Sequence, residues 1–356
     1  MSASTGLVNL NVAKFVILLF ISAVLISCEA IGYYSQAAMG QLSIVSSRED
    51  IQHLLQRQDL PPELAAKFSQ VMEVRQFAEQ QLQLPIGQHY STYVDVERDH
   101  VVWNVFAAPE FSVDPIDWCY PIAGCVSYRG YFSKQSALRY AERLQRKGYD
   151  VYTGGVDAYS TLGWFEDSVL STVLSRTDYQ LAGLIFHELV HQLVYVPGDT
   201  TFNESFATAV EREGVRRWLT SIDEVETVDA ATLYYERQQQ FVDLIAVYRL
   251  QFEALYQQEI PAESMRLQKS QLQQSLREAY EDLKQQWQGY AAYDGWFSLS
   301  LNNAQLSTVA SYNELLPFFT SLLEQSAGDI SMFYDEVKRI AELPEEERAQ
   351  LLVSQY

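Results

Sequence analysis

The sequence predicts an α+β protein, a small sheet followed by a largely helical remainder. Two patterns carry this expectation. Residues 89–132 alternate apolar and polar positions and are rich in Val, Tyr, Trp and Phe, as in YSTYVDVERDHVVWNVFAAPEF, a period-2 pattern suited to strands. From Leu170 almost to the end, apolar residues recur at helical spacing instead. A chain of 356 residues with 48% hydrophobic composition can also bury a sizeable core.

Taken in order, residues 29–84 read as helices broken at Pro61-Pro62. The strands of 89–132 follow. SKQSALRYAERLQRKGYD is a helix, with Ser133 as its cap and Gly148 as its stop. VYTGGVDAYSTLGWF is one or two strands. Helices are expected near 178–195, 203–220, 228–258, 261–291, 311–326 and 329–341, with 228–290 forming an antiparallel pair broken at Pro261. No repeat is evident. The Gln-rich stretches read as exposed helix faces, because charged and apolar residues interrupt them.

The first residues stand apart from the fold. Phe15 to Ile26 is an unbroken run of apolar or small residues. As a helix its twelve residues rise roughly 18 Å, short of a bilayer core of about 30 Å. The run fits the apolar region of a signal peptide. Its end, Leu25-Ile26-Ser27-Cys28, resembles the cleavage signal of bacterial lipoproteins. That resemblance implies a signal peptide over 1–27, lipid on Cys28, and a mature protein anchored in the cell envelope, facing the periplasm. An uncleaved anchor with an incidental Cys is the alternative. The formal net charge of −21 argues against nucleic acid as a partner, and against a polybasic grip on anionic lipid. Cys119 and Cys125 form an even pair, which in an oxidising compartment suggests a short-loop disulfide; two thiols are the alternative.

The chemistry concentrates in LAGLIFHELVHQLVYVPGDTTFNESFATAVEREGVRRWL. His187 and His191 are four residues apart, so a helix points both imidazoles the same way. Two neutral imidazoles suit Zn²⁺, and Glu188 beside the first can take a proton from an activated water. The other histidines, His53, His89 and His100, lack such a neighbourhood and read as surface or packing residues. The helix should end near Pro197-Gly198-Asp199, and the next should start at Asn203 as its cap. Glu204, in that first turn, either supplies a third ligand or complements the helix dipole. The first reading is favoured because the motif otherwise lacks a third ligand.

HELVHQ followed by FNESFAT resembles the two-helix site of the Glu-ligand zincins, whose second motif reads Asn-Glu-x-x-Ala. The resemblance implies a zincin-like catalytic core with Glu204 as the third zinc ligand. Twelve residues separate His191 from Glu204, fewer than in thermolysin-like enzymes. Over most of the mature sequence the chain resembles a proteobacterial zinc aminopeptidase family, through WCYPIAGCVSYRGYF, AYSTLGWFEDSVLS, the zinc segment and NNAQL. Residues 28–356 are then one peptidase domain, with N-terminal helices over 29–84, a catalytic core over 89–220 and a helical C-terminal subdomain over 228–341.

Further candidates surround this core. Glu211, two turns after Glu204 on the same face, could orient a His, bind a substrate amine or be a solvated charge. Glu213 is off that face. Ser160 to Trp164, with Ser160, Thr161 and Gly163 as candidates, could pair with a substrate backbone or be an ordinary strand. Tyr312, with Tyr159 as rival, could stabilise an oxyanion. Arg129 could bind a carboxylate or hold the fold, and Asn302 and Asn303 could line a pocket or cap a helix. Glu211, Glu166 and Asp167 could anchor a free amine. The expected function is zinc-dependent peptide hydrolysis, with Glu188 as general base and an aminopeptidase as the form the family implies. The alternative is a non-catalytic envelope lipoprotein whose long helices bind a partner.

Overall fold

The computed structural model describes residues 31–120, 124–158, 166–310 and 315–354. It is mixed α+β. Helix α1 covers 31–46, followed by strand β1 (Glu49–Asp50), α2 (Ile51–Leu55) and α3 (Pro62–Gln80). Pro62 opens α3 because its missing N–H is one the first turn leaves unbonded anyway. Strands β2 (Thr92–Val94), β3 (Val102–Pro109), β4 (Trp118–Tyr120), β5 (Gly124–Val126) and β6 (Arg129–Tyr131) come next. Helix α4 (Lys134–Gln145) starts on Ser133, whose hydroxyl accepts from the Ser136 amide at 3.3 Å, and stops before Gly148 at φ +87°. Strands β7 (Tyr149–Val156) and β8 (Val169–Leu170) complete the β part.

The strands form three small sheets, ordered β1-β2-β8, β6-β3-β7 and β4-β5. In the second, β3 runs antiparallel to both neighbours, with Trp103 opposite Tyr131 and Gly155. Its inner face packs on α4 through Val105, Ala107, Tyr140 and Leu144. In the hairpin β4-β5, Cys119 lies opposite Cys125 and the two are joined by a disulfide.

The helical part begins with α5 (Asp178–Leu193) and α6 (Thr200–Ser221). Gln180 reaches back to accept from the Thr177 amide at 3.1 Å, fixing the start of α5. Then come α7 (Val225–Tyr256) and α8 (Ala262–Gln286), the antiparallel pair that turns at Pro261, followed by α9 (Asp294–Phe297), α10 (Asn303–Ala310), α11 (Leu316–Gln325), α12 (Ile330–Ala341) and α13 (Glu345–Ser354). The main core sits among α3, α5, α6, α11 and α12, around Phe186, Phe202, Phe206, Phe319 and Phe333. Each such ring contributes roughly 1.5–3 kcal/mol by leaving water. A second core lies along α7 and α8, around Phe252, Leu276, Tyr280 and Phe297.

Several elements differ from the sequence reading, among them strand β1, which interrupts the helices expected over 29–84 and pairs with β2. Helix α6 begins at Thr200, capped by Asp199, which accepts from the Phe202 amide at 3.0 Å. Asn203 is therefore inside the helix, and its buried carboxamide bonds both the N–H and the C=O of Val196 at 2.8 Å. Asp199 wins because it lies at the turn where the chain reverses. Helices α10 and α13 were hidden by their short length and weak amphipathic pattern, and α8 stops at Gln286 because Gly289 turns at φ +87°.

Polar groups tie the α7–α8 core to the β6-β3-β7 sheet. Asn303, fully buried, donates to the carbonyls of Pro109 and Glu110 at 3.0 Å and accepts from the Tyr256 hydroxyl at 2.8 Å. Asn302 caps α10 by accepting from the Gln305 amide at 3.0 Å and donates to the Val151 carbonyl at 2.9 Å. Both asparagines thus serve the fold. Replacing Asn303 with Ala should lower the unfolding free energy by about 2 kcal/mol, because three partners lose a buried bond. Denaturant unfolding of the variant checks this, and an unchanged midpoint would contradict the clamp.

Candidate metal centre

The site is built where α5 and α6 pack closely. Gly183, one turn before His187, makes this possible. A Cβ there would lie 2.9 Å from the Tyr235 hydroxyl and 3.2 Å from Glu211. At Gly214 on α6 a Cβ would meet Phe186 at 2.7 Å. The two glycines let helix backbones approach so that α6 side chains reach the histidines of α5. The connection between these helices turns at Gly198, φ +85°, and the β4-β5 hairpin leans on it, with Gly124 beside the Gly198 backbone.

His187, His191 and Glu204 converge. Their ligand-type atoms all lie within 4.8 Å of one another, the set among the described residues that could hold a metal ion. His187 Nε2 is 3.1 Å from Glu204 Oε2, and His191 Nε2 is 3.7 Å from Glu204 Oε1. On its other side, His187 Nδ1 faces Glu211 Oε2 at 3.1 Å. Glu211 is held in turn by the Tyr235 hydroxyl, which donates to its Oε1 at 3.1 Å. Glu211 therefore orients His187 rather than standing free. Glu213 instead pairs with Arg216 and Arg217 at 2.8 and 2.6 Å.

The electrostatics suit a cation. Both nitrogens of His187 face carboxylates. Burial opposes its charge, but the bonds from Glu204 and Glu211 outweigh that and hold it well above the usual histidine range. A cation could replace the Nε2 proton there. Burial, the largest influence, pushes His191 down to about 4, so its imidazole is neutral and able to ligate. Burial tends to raise Glu204, yet its bond to His187 and the two neighbouring imidazoles keep it low. Glu188 is pushed up to about 7, first by burial and then by Glu204, Asp167 and Glu211, against the lowering effect of His187. The buried Nδ1 of His191 has no hydrogen-bond partner among the described residues. Two imidazoles and a carboxylate, ringed by further acids, form a donor set that fits a divalent ion.

Other groups at the site were not evident from the sequence. Although Tyr128 is 38% exposed, loss of water around its hydroxyl and then the charges of Glu204 and Glu188 raise its phenol; Tyr195 is raised by burial and Glu204. Both hydroxyls thus feel the carboxylates of the centre. Asp167, 7% exposed, sits 3.4 Å from His89 Nδ1, and its charge acts on Glu188 and His191. His89 is thereby tied to the wall of the site, where the sequence reads it as a surface or packing residue. Nothing in the local sequence marks His89, because its partner lies 78 positions away.

Several sequence candidates lie elsewhere. The Arg129 guanidinium sits 4.0 Å over the Tyr33 ring and 4.7 Å over the Tyr140 ring, in the β6–α4 region, and not with the histidines. Glu166 is exposed, and its backbone carbonyl accepts from Arg48. His100 pairs with Asp157 at 2.6 Å, and His53 is in α2. Cys28, Ser160, Thr161, Gly163, Tyr159 and Tyr312 lie outside the described residues.

A family described as "Putative aminopeptidase" matches residues 32–352. No curated protein and no solved structure matches the chain.

Glu211→Gln should weaken divalent-ion affinity by about 10- to 100-fold, with little loss of stability, if the carboxylate orients His187. Titration with Co²⁺, followed by its visible absorption, measures this. Unchanged affinity would remove the orienting role.

Proposed function

Because the chain belongs to this aminopeptidase family, we propose that it is a zinc-dependent peptidase of the bacterial cell envelope, acting on peptides with a free N-terminus. The observation that carries the reading is the convergence of His187, His191 and Glu204 within 4.8 Å, with Glu188 buried beside them. His187, His191 and Glu204 would hold the ion. Zinc bound there would lower the pKa of a water molecule and polarise the scissile carbonyl.

The chain's own residues do the rest. Glu188 accepts the proton of the attacking water and delivers it to the departing amine. Its buried setting keeps it near the working range for such a shuttle. Glu211, fixed by Tyr235, keeps the His187 ring turned toward Glu204. Tyr128 or Tyr195 supplies a hydroxyl to the oxygen that gains charge in the transition state, a role for which Tyr312 was the sequence candidate. Asp167, buried beside His89 in the wall of the site, is the acid that would receive a peptide ammonium group, in place of the exposed Glu166.

The envelope location is part of the same proposal. It is supported by the apolar run Phe15–Ile26 ending at Cys28, with a lipid on that cysteine as the anchor. Among the described residues no helix is long and apolar enough to cross a membrane.

Glu188→Gln should retain bound zinc and reduce peptide turnover by about 10²- to 10⁴-fold. Elemental analysis and an assay on amino-acid amides and short peptides check the two halves, and near-normal turnover would remove the proposed base. Cys28→Ser should move the protein out of the lipid-labelled membrane fraction. If the variant fractionates and labels as the unaltered chain does, the anchor is elsewhere.

A further inference from the structure

The chain carries −21 overall, yet one face is strongly cationic. Between Arg129 and Lys147 there are six cations and one acid, Glu142. Arg129, Arg139, Arg143 and Arg146 line a cavity of about 420 Å³ between β6, α4 and the start of α1. Tyr33 and Gln36 of α1 close it on the other side. Arg139, Arg143 and Arg146 recur every three or four residues, so helix geometry aligns them on one side of α4, and all three are exposed. The buried Nε of Arg129 has no hydrogen-bond partner among the described residues.

Next to this cavity lies an apolar surface. Ile31, Tyr34 and Leu42 are 64%, 50% and 66% exposed. Their spacing puts them on one stripe of α1, on the side opposite Tyr33 and Gln36. Leu138 of α4 is exposed as well.

We infer that this face binds an anionic phospholipid, with the arginine cavity receiving the headgroup phosphate. The occupant follows from charge and from position. An arginine row in an acidic protein selects a phosphate-bearing anion. The cavity also includes Gly32, four residues after Cys28, so an anchor there would hold this face at the membrane. The inference rests on the proposed anchor only for which end of the molecule meets the bilayer. It also reverses the sequence expectation that net charge excludes a cationic grip on lipid, because the charge is segregated rather than evenly spread.

The test uses the full-length protein in a neutral detergent. Calorimetric titration compares dihexanoylphosphatidylglycerol, dihexanoylphosphatidylcholine and inorganic phosphate. Saturable binding of the phosphatidylglycerol should be at least about 10-fold tighter than of the phosphatidylcholine and should weaken with added salt. The triple variant Arg139→Ala, Arg143→Ala, Arg146→Ala, checked for an unchanged melting curve, should lose at least about 10-fold. Equal binding of the two lipids would overturn the inference. So would phosphate alone binding as tightly as the phosphatidylglycerol, which would mark a free-anion site, or a triple variant that binds like the unaltered chain. The triple variant should hydrolyse peptides normally, and Glu188→Gln should bind lipid normally, so this inference and the peptidase reading can fail separately. Because these short-chain lipids need no anchor, loss of Cys28 leaves the outcome unaffected.

Discussion

The close approach of α5 and α6 is the constraint on which the site depends. Helices that pack through ordinary side chains stand about 8–10 Å apart. Gly183 and Gly214 leave room for Glu211 and Phe186 in the space where a Cβ would lie. His187 is then gripped from both sides, by Glu204 at one nitrogen and Glu211 at the other. Two carboxylates seven residues apart lie on one face of α6, so a single helix supplies both. Burying such charges is costly unless they are paired, and here both are paired with His187.

The helical C-terminal part contributes to this centre directly. Tyr235, from the first half of α7, fixes the outer oxygen of Glu211. The far end of that helix reaches Asn303 through Tyr256, and Asn303 in turn holds the end of β3. Lys269 of α8 adds a bond to Asp150 of β7 at 2.6 Å. The long helices thus brace the β6-β3-β7 sheet at one end and orient a histidine at the other. A polar network of this kind fixes geometry more sharply than apolar packing does, because a misplaced partner leaves a buried group unsatisfied.

Charge is distributed with equal consequence. Acidic groups collect around two imidazoles, where they favour a cation. Basic groups collect on α4 and β6, with tyrosine rings packed against Arg129. A net charge describes neither place. Fields near a protein surface follow the local arrangement, which whole-chain composition averages away.

Local periodicity made much of this legible in the sequence. The α+β class, the helical pair turning at Pro261, the start of α4 at Ser133 and the triad His187, His191 and Glu204 all follow from residue spacing and motif, because helix geometry converts spacing into direction. Asn203 shows the limit: as a residue type it suits a helix cap, but Asp199 lay nearer the reversal and took that place, leaving Asn203 to hold Val196. Only the tertiary structure set Tyr235 on Glu211, Asp167 beside His89, Tyr128 near Glu204, and Arg129 between two rings away from the histidines. Those neighbours are remote in the chain, and no one-dimensional pattern encodes which distant side chains a packed core will bring together.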